Sequence, residues 1–207
     1  MLKLQECGLT NSDIEPLFTL LSAAGNVKEL TLVKNNLHKL QPININPIPS
    51  LQTLKLQDCG LTNSDIEPLF TLLSAAGNIK ELHLINNNFQ ELQPVRIPPV
   101  PSLQTLILEK CNLTSSHIEP LFTLLSAAGS VKKIALVNNN LQNLQPIKIT
   151  PVPSLETLHL YECGLTDTDM SSVFTLLSAA GSVKALLLVN NNLHKLQPIN
   201  TNPIPSL

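Results

Sequence analysis

Leucines at fixed spacing organise this chain. In Leu51-x-x-Leu54-x-Leu56-x-x-Cys59-x-Leu61, two leucines alternate with variable residues, and Ile79-x-x-Leu82-x-Leu84-x-x-Asn87-x-Phe89 repeats the pattern 28 residues later. Alternation over so few positions predicts a short strand with one buried face. The pattern occurs eight times, the first copy lacking only its leading leucine, and successive copies are 28 and 24 residues apart in turn. The sequence therefore repeats every 52 residues without insertion, in units of about 1–52, 53–104, 105–156 and 157–207. A lone strand of this kind cannot cover its own apolar face. Neighbouring copies must stack in parallel around a shared core, making one solenoid domain over 1–207.

The two halves of a unit diverge after the strand. The longer half continues as Thr10-Asn11-Ser12-Asp13-Ile14-Glu15-Pro16-Leu17-Phe18-Thr19-Leu20-Leu21-Ser22-Ala23-Ala24-Gly25. Ile14, Leu17, Phe18 and Leu21 have the spacing of one helical face. Ser12 and Glu15 have capping-box spacing, Asp13 suits the positive end of the helix dipole, and Gly25 suits its end. In the fourth unit Met170-Ser171-Ser172-Val173 replaces the helix start. The shorter half has no helical period. Thirteen of the 16 prolines lie in its outer segment, as in Leu40-Gln41-Pro42-Ile43-Asn44-Ile45-Asn46-Pro47-Ile48-Pro49-Ser50, which predicts extended backbone. After each strand, Asn35, Asn87, Asn139 and Asn191 alternate with Cys7, Cys59, Cys111 and Cys163, and the Asn amide can satisfy backbone groups in the turn. The next position holds only Gly or Asn (Gly8, Asn36, Gly60, Asn88, Asn112, Asn140, Gly164, Asn192), which predicts a tight left-handed turn at all eight places.

The eightfold L-x-x-L-x-L-x-x-N/C-x-L pattern resembles the leucine-rich-repeat family over essentially the full chain. Its helix-bearing halves are similar to ribonuclease-inhibitor-type repeats, although in that group every repeat carries a helix. The resemblance implies an α/β leucine-rich-repeat solenoid, a curved parallel inner sheet with an outer face alternating helix and proline-rich segments.

Composition narrows the function. Charged residues are 14%, aromatics 3%, and the net charge is −2. A nucleic-acid partner is not expected, because no basic patch or stacking platform exists. No apolar run reaches the ~18 residues of a membrane span. Equivalent cysteines lie two strands apart, ~10 Å, beyond the ~7 Å limit for disulfide Cα atoms, so four buried thiols are expected. Reduced thiols and the lack of a recognisable leader suit a cytosolic protein. His38, His83, His117, His159 and His194 have no metal-ligand spacing, and Glu6, Asp58 and Glu162 read as a solvated column interrupted by Lys110. No metal, cofactor or catalytic constellation is expected. Asn112-Leu113-Thr114 matches an N-glycosylation acceptor in a repeat turn.

Comparison of the four units locates the variable surface. Glu-Pro-Leu-Phe-Thr-Leu-Leu-Ser-Ala-Ala-Gly is identical in three of them. The positions between strand leucines are not: Lys3, Thr31, Lys55, His83, Ile107, Ala135, His159 and Leu187 form one column. Gln5, Val33, Gln57, Ile85, Glu109, Val137, Tyr161 and Val189 form the next. Both should project from the inner face and serve a protein partner, with Tyr161 its foremost contact. An alternative reading concerns the ends. No polar cap is visible, so Leu2, Leu4 and Leu9 at one end and Leu186, Leu188, Leu193 and Ile204 at the other should be apolar edges. They could meet head to tail in a homo-oligomer or open filament.

Overall fold

The structure is a computed structural model and describes residues 1–195. Eight strands form one sheet in chain order: β1 (Leu2–Gln5), β2 (Glu29–Val33), β3 (Thr53–Gln57), β4 (Glu81–Ile85), β5 (Thr105–Glu109), β6 (Lys133–Val137), β7 (Thr157–Tyr161) and β8 (Ala185–Leu187). All neighbours are parallel, and the register puts leucine beside leucine, as in Leu54↔Leu82 and Leu56↔Leu84. The 28- and 24-residue spacings return the chain to the same register each time, so the apolar positions stack into continuous buried rows.

Four helices lie on one side of the sheet: α1 (Ile14–Ala24), α2 (Ile66–Ala76), α3 (Ile118–Ala128) and α4 (Met170–Ala180). Ile66, Leu69, Phe70 and Leu73 of α2 are all buried, as the helical spacing requires. Each helix ends on a left-handed glycine whose N–H returns to a helix carbonyl, for example Gly77 to Leu73 at 3.2 Å. The proline-rich segments hold neither helix nor strand and lie between successive helices. The hydroxyl of Ser22 on α1 donates to the Pro47 carbonyl (3.1 Å), while the Ile48 N–H donates to Ala76 at the end of α2 (3.0 Å). No Cα of one helix comes within 8 Å of the next. Ile48, Val100 and Val152 anchor these segments in the core with 0% exposure.

Three expectations are corrected. The capping box is formed by Thr10 and Asp13, not by Ser12 and Glu15. A 3-10 turn at Asn11–Asp13 precedes the helix, and the Thr10 N–H donates to Asp13 Oδ2 at 2.8 Å. The same box recurs at Thr62 and Asp65, Thr114 and His117, and Thr166 and Asp169.

Second, Gly8, Gly60, Asn112 and Gly164 of the longer halves are left-handed, but Asn36, Asn88, Asn140 and Asn192 are not. The position left-handed in all eight repeats is two residues earlier: Glu6, Lys34, Asp58, Asn86, Lys110, Asn138, Glu162 and Asn190, with φ between 51° and 56°. The chain must turn out of the sheet there, and neighbouring bonds such as Lys34 N–H to the Gln57 carbonyl (2.9 Å) hold it in that strained region.

Third, Cys7 is exposed, whereas Cys59, Cys111 and Cys163 are buried as expected. Those three lie between repeats, each thiol donating to a carbonyl of the strand before, as Cys111 to Leu84 at 3.2 Å. The Cys7 thiol donates to the Gln5 carbonyl of its own repeat at 3.4 Å.

The alternation of Asn and Cys arises from the two turn shapes. In a longer half, two left-handed residues (Lys110 and Asn112) aim the N–H groups of Cys111 and Leu113 at one point. Asn139 Oδ1 accepts both at 3.1 Å, while its Nδ2 donates to the carbonyls of Leu108 (2.9 Å) and Val137 (3.0 Å). In a shorter half the turn bonds through backbone on both sides, Asn140 N–H to Leu113 and Leu141 N–H to Cys163. No side-chain acceptor is needed next to it, so a thiol suffices.

Candidate interaction surface

The face of the sheet away from the helices carries every second strand residue. Registered pairs set the columns side by side: Ile107↔Ala135, Ala135↔His159 and His159↔Leu187 in one, Glu109↔Val137 and Val137↔Tyr161 in the next. The structure thus brings the predicted contact residues together on one surface. Lys3, Gln5 and Val189 are exposed, and Thr31, Lys55, Gln57, His83, Ile85, Ile107, Glu109, Val137, His159, Tyr161 and Leu187 are half-buried by their neighbours. Val33 departs from the expectation. At 6% exposure it is covered by the rows on either side and offers a partner almost nothing, and Ala135 at 3% likewise lies beneath its flanks.

Sequence reading missed a third column. Most strands begin one residue before the first leucine, so Glu29, Thr53, Glu81, Thr105, Lys133, Thr157 and Ala185 share this face. The signal was there: the same period of two, carried one step back.

The third column divides the face electrostatically. Around β2–β4 the charges pair among themselves. Lys55 Nζ is 2.7 Å from Glu29, with about a third of each side chain exposed, and this hydrogen bond holds the Glu29 carboxyl below its usual pKa. His83 Nε2 stands 3.4 Å from Glu81; burial lowers its pKa, opposed by the Glu81 carboxylate. Around β5–β8 the residues are mainly aliphatic, with His159 and Tyr161 in a T-shaped ring contact at 5.2 Å. Burial first, then Lys133, lowers the His159 pKa. Along the rim where strands end, Lys34 bridges to Glu6 (2.8 Å) and Glu162 accepts from Asn190 (3.0 Å). An open polar cleft there is lined by Gln57, Asp58, Ile85, Asn86, Glu109 and Lys110.

Groups that could do chemistry are shielded or dispersed. Burial pushes the thiols of Cys59 and Cys163 up to about 11 and of Cys111 up to about 12, far from a reactive thiolate. Among the described residues no cluster of three His, Cys, Asp or Glu side chains could hold a metal, and no helix is long and apolar enough to cross a membrane.

At the ends of the sheet, Leu2, Leu4 and Leu9 are partly buried, as are Leu186, Leu188 and Leu193; Ile204 lies outside the described residues. The sharper contrast was not anticipated. Leu20 on α1 is 68% exposed, while its equivalents Leu72, Leu124 and Leu176 are 3–4% exposed because the preceding unit covers them.

Known proteins are similar to this chain in sequence. The chain is 32% identical over 208 residues to ribonuclease inhibitor of Mus musculus and 30% identical over 207 residues to that of Sus scrofa, each alignment covering 93% of this chain and 45% of the relative. It is 30% identical over 174 residues to "NACHT, LRR and PYD domains-containing protein 3" of Homo sapiens, covering 79% of this chain and 17% of that protein. It thus spans less than half the length of the relatives it matches. No protein-family model matches the chain. Eight in-register strands, helices on one side only and these relatives agree: the chain is a leucine-rich-repeat protein with repeats resembling the ribonuclease-inhibitor type.

Proposed function

We propose that the chain acts by binding rather than by catalysis, and that a protein partner docks on the bare sheet face over β5–β8. The observation that carries this reading is the composition of that face: Ile107, Val137, Tyr161 and Leu187 share it with Val189 just beyond the last strand, and no element among the described residues covers them, Val189 being 46% exposed. An apolar centre with an aromatic, rimmed by Glu109, Lys133 and Glu162, suits a protein interface. An intervening proline-rich segment keeps successive helices apart, which favours an outer layer longer than the inner one and a concave bare face. By name, the mouse and pig relatives inhibit ribonuclease. We carry over the mode, binding to a protein, and not the target.

The test has two steps. A photo-crosslinking amino acid at Val137 should capture the partner, and one at exposed Thr19 on the helix side should not. Affinity for the captured protein should then fall ~30-fold or more for Tyr161→Ala, as for a ≥2 kcal/mol contact. Unchanged affinity for Tyr161→Ala, His159→Ala and Leu187→Ala refutes this face as the site.

Exposed Leu20 supports a second reading, head-to-tail self-association, in which another copy covers what units 2–4 have covered by their predecessors. Light scattering decides it: a monomer at high concentration ends the idea, and Leu20→Asp should dissolve any oligomer found.

A further inference from the structure

Unit 3 departs from the others at the last position of the capping box. Units 1, 2 and 4 carry Asp13, Asp65 and Asp169 in the capping box, and unit 3 carries His117. Asp65 and Asp169 are 1% and 2% exposed and His117 is 8% exposed. Each of these two aspartates bonds in two directions. Oδ2 accepts the threonine N–H of its own box, and Oδ1 accepts a leucine N–H from the shorter half before it: Leu40 to Asp65 at 2.7 Å and Leu144 to Asp169 at 2.8 Å.

His117 performs only the first task. Its Nδ1 accepts the Thr114 N–H at 2.9 Å, so that nitrogen carries no hydrogen, and the Gln90 carbonyl faces the ring and suits the other nitrogen as donor. No acceptor remains for the preceding leucine. The turn there closes on itself, Leu92 N–H to the Phe89 carbonyl at 3.0 Å. Lys39 and Asn143, which precede the two Asp-bonded leucines, are left-handed at φ 60° and 58°; Glu91, which precedes Leu92, is not. One side chain in unit 3 thus sets the conformation of a turn in unit 2.

We propose that His117 makes the junction between units 2 and 3 acid-sensitive, its protonation opening the α3 capping box and loosening the turn at residues 89–92. A proton on Nδ1 would set two donors face to face across 2.9 Å. It would also place a buried cation at the positive end of α3. No charged side chain compensates. Burial is the leading influence on the ring and lowers its pKa from 6.5, opposed only by the Gln90 carbonyl. Neither Glu91 on the packed turn nor Glu119 on its own helix contributes. The lowered pKa fixes the direction of the effect. Above pH 6.5 the ring is neutral folded or unfolded, and the contribution to stability is whole. As pH falls below 6.5 the unfolded chain takes the proton first, so stability declines until the folded ring itself titrates.

Amide exchange at Thr114, corrected for intrinsic rate and compared at pH 7.5 and pH 5.5, tests this. In the unmodified chain its protection should fall severalfold at the lower pH, up to the roughly tenfold that an open-state pKa of 6.5 allows, while Thr62 and Thr166 in the Asp-bearing units keep theirs. His117→Asp should abolish the difference, and units 1, 2 and 4 show that the site accepts aspartate. His117→Asn, an acceptor that does not titrate, should do the same. Equal protection at both pH values overturns the proposal. So does an equal loss at Thr62 and Thr166, or a loss that persists in both variants.

Discussion

Asn139→Ala probes the joint between a longer and a shorter half. The amide is 5% exposed and uses both ends, Oδ1 taking the N–H groups of Cys111 and Leu113, Nδ2 giving to Leu108 and Val137. Alanine leaves two buried N–H donors without an acceptor. An orphaned buried polar group costs about 1–3 kcal/mol, so the pair amounts to roughly 2–6 kcal/mol. Settling of the turn should bring the observed loss to about 3–4 kcal/mol. Asn88→Ala is the control: its exposed side chain accepts from Gln90 N–H at 3.3 Å and from Asn112 at 3.1 Å, and losing it should cost less than about 1 kcal/mol. Urea unfolding followed by circular dichroism gives both numbers. If the Asn139 variant loses under about 1 kcal/mol at unchanged slope, this amide does not hold the preceding turn.

Other consequences can be checked on the same preparations. Leu72→Ala should destabilise by about 2–5 kcal/mol and Leu20→Ala by under about 0.5 kcal/mol, although the two are repeat equivalents, because the first is buried and the second 68% exposed. A thiol reagent at pH 8 should label Cys7 rapidly in the native protein and Cys59, Cys111 and Cys163 only on unfolding, since burial has raised their pKa values to about 11, 12 and 11. Equal rates for all four would contradict the buried placement. Lys55→Ala should cost under about 1 kcal/mol, its pair with Glu29 being a third exposed, and the effect should shrink in high salt.

The sequence made the strands, the register and the helices legible because each rests on a strict period: two for Leu54 and Leu56, 3.6 for Ile66, Leu69, Phe70 and Leu73. The turns were harder. Gly60 announces a left-handed backbone, but Lys34, Asp58 and Glu162 adopt one because the bonds to the next strand demand it, and nothing in a charged side chain signals that. Both Thr10-x-x-Asp13 and Ser12-x-x-Glu15 have capping spacing, and only the intervening 3-10 turn chooses between them. On the interaction surface, the direction of Val33 was readable but its burial was not, since that depends on how far the neighbouring rows reach. His117 read as one of five histidines without metal-ligand spacing; its control of the turn at residues 89–92 emerges only from the bonds between units.

The in-order sheet also determines how the molecule bears load. Hydrogen bonds between strands run along the stack, so a pull on the two ends tests them one strand at a time instead of all together. The chain should peel from an end at low force. Each unit, an advance of ~10 Å when folded, would release 52 residues that can stretch to roughly 180 Å. Recoil should retrace the same steps, because every unit refolds against a neighbour that already displays its leucine register. Under tension the protein should extend stepwise and reversibly.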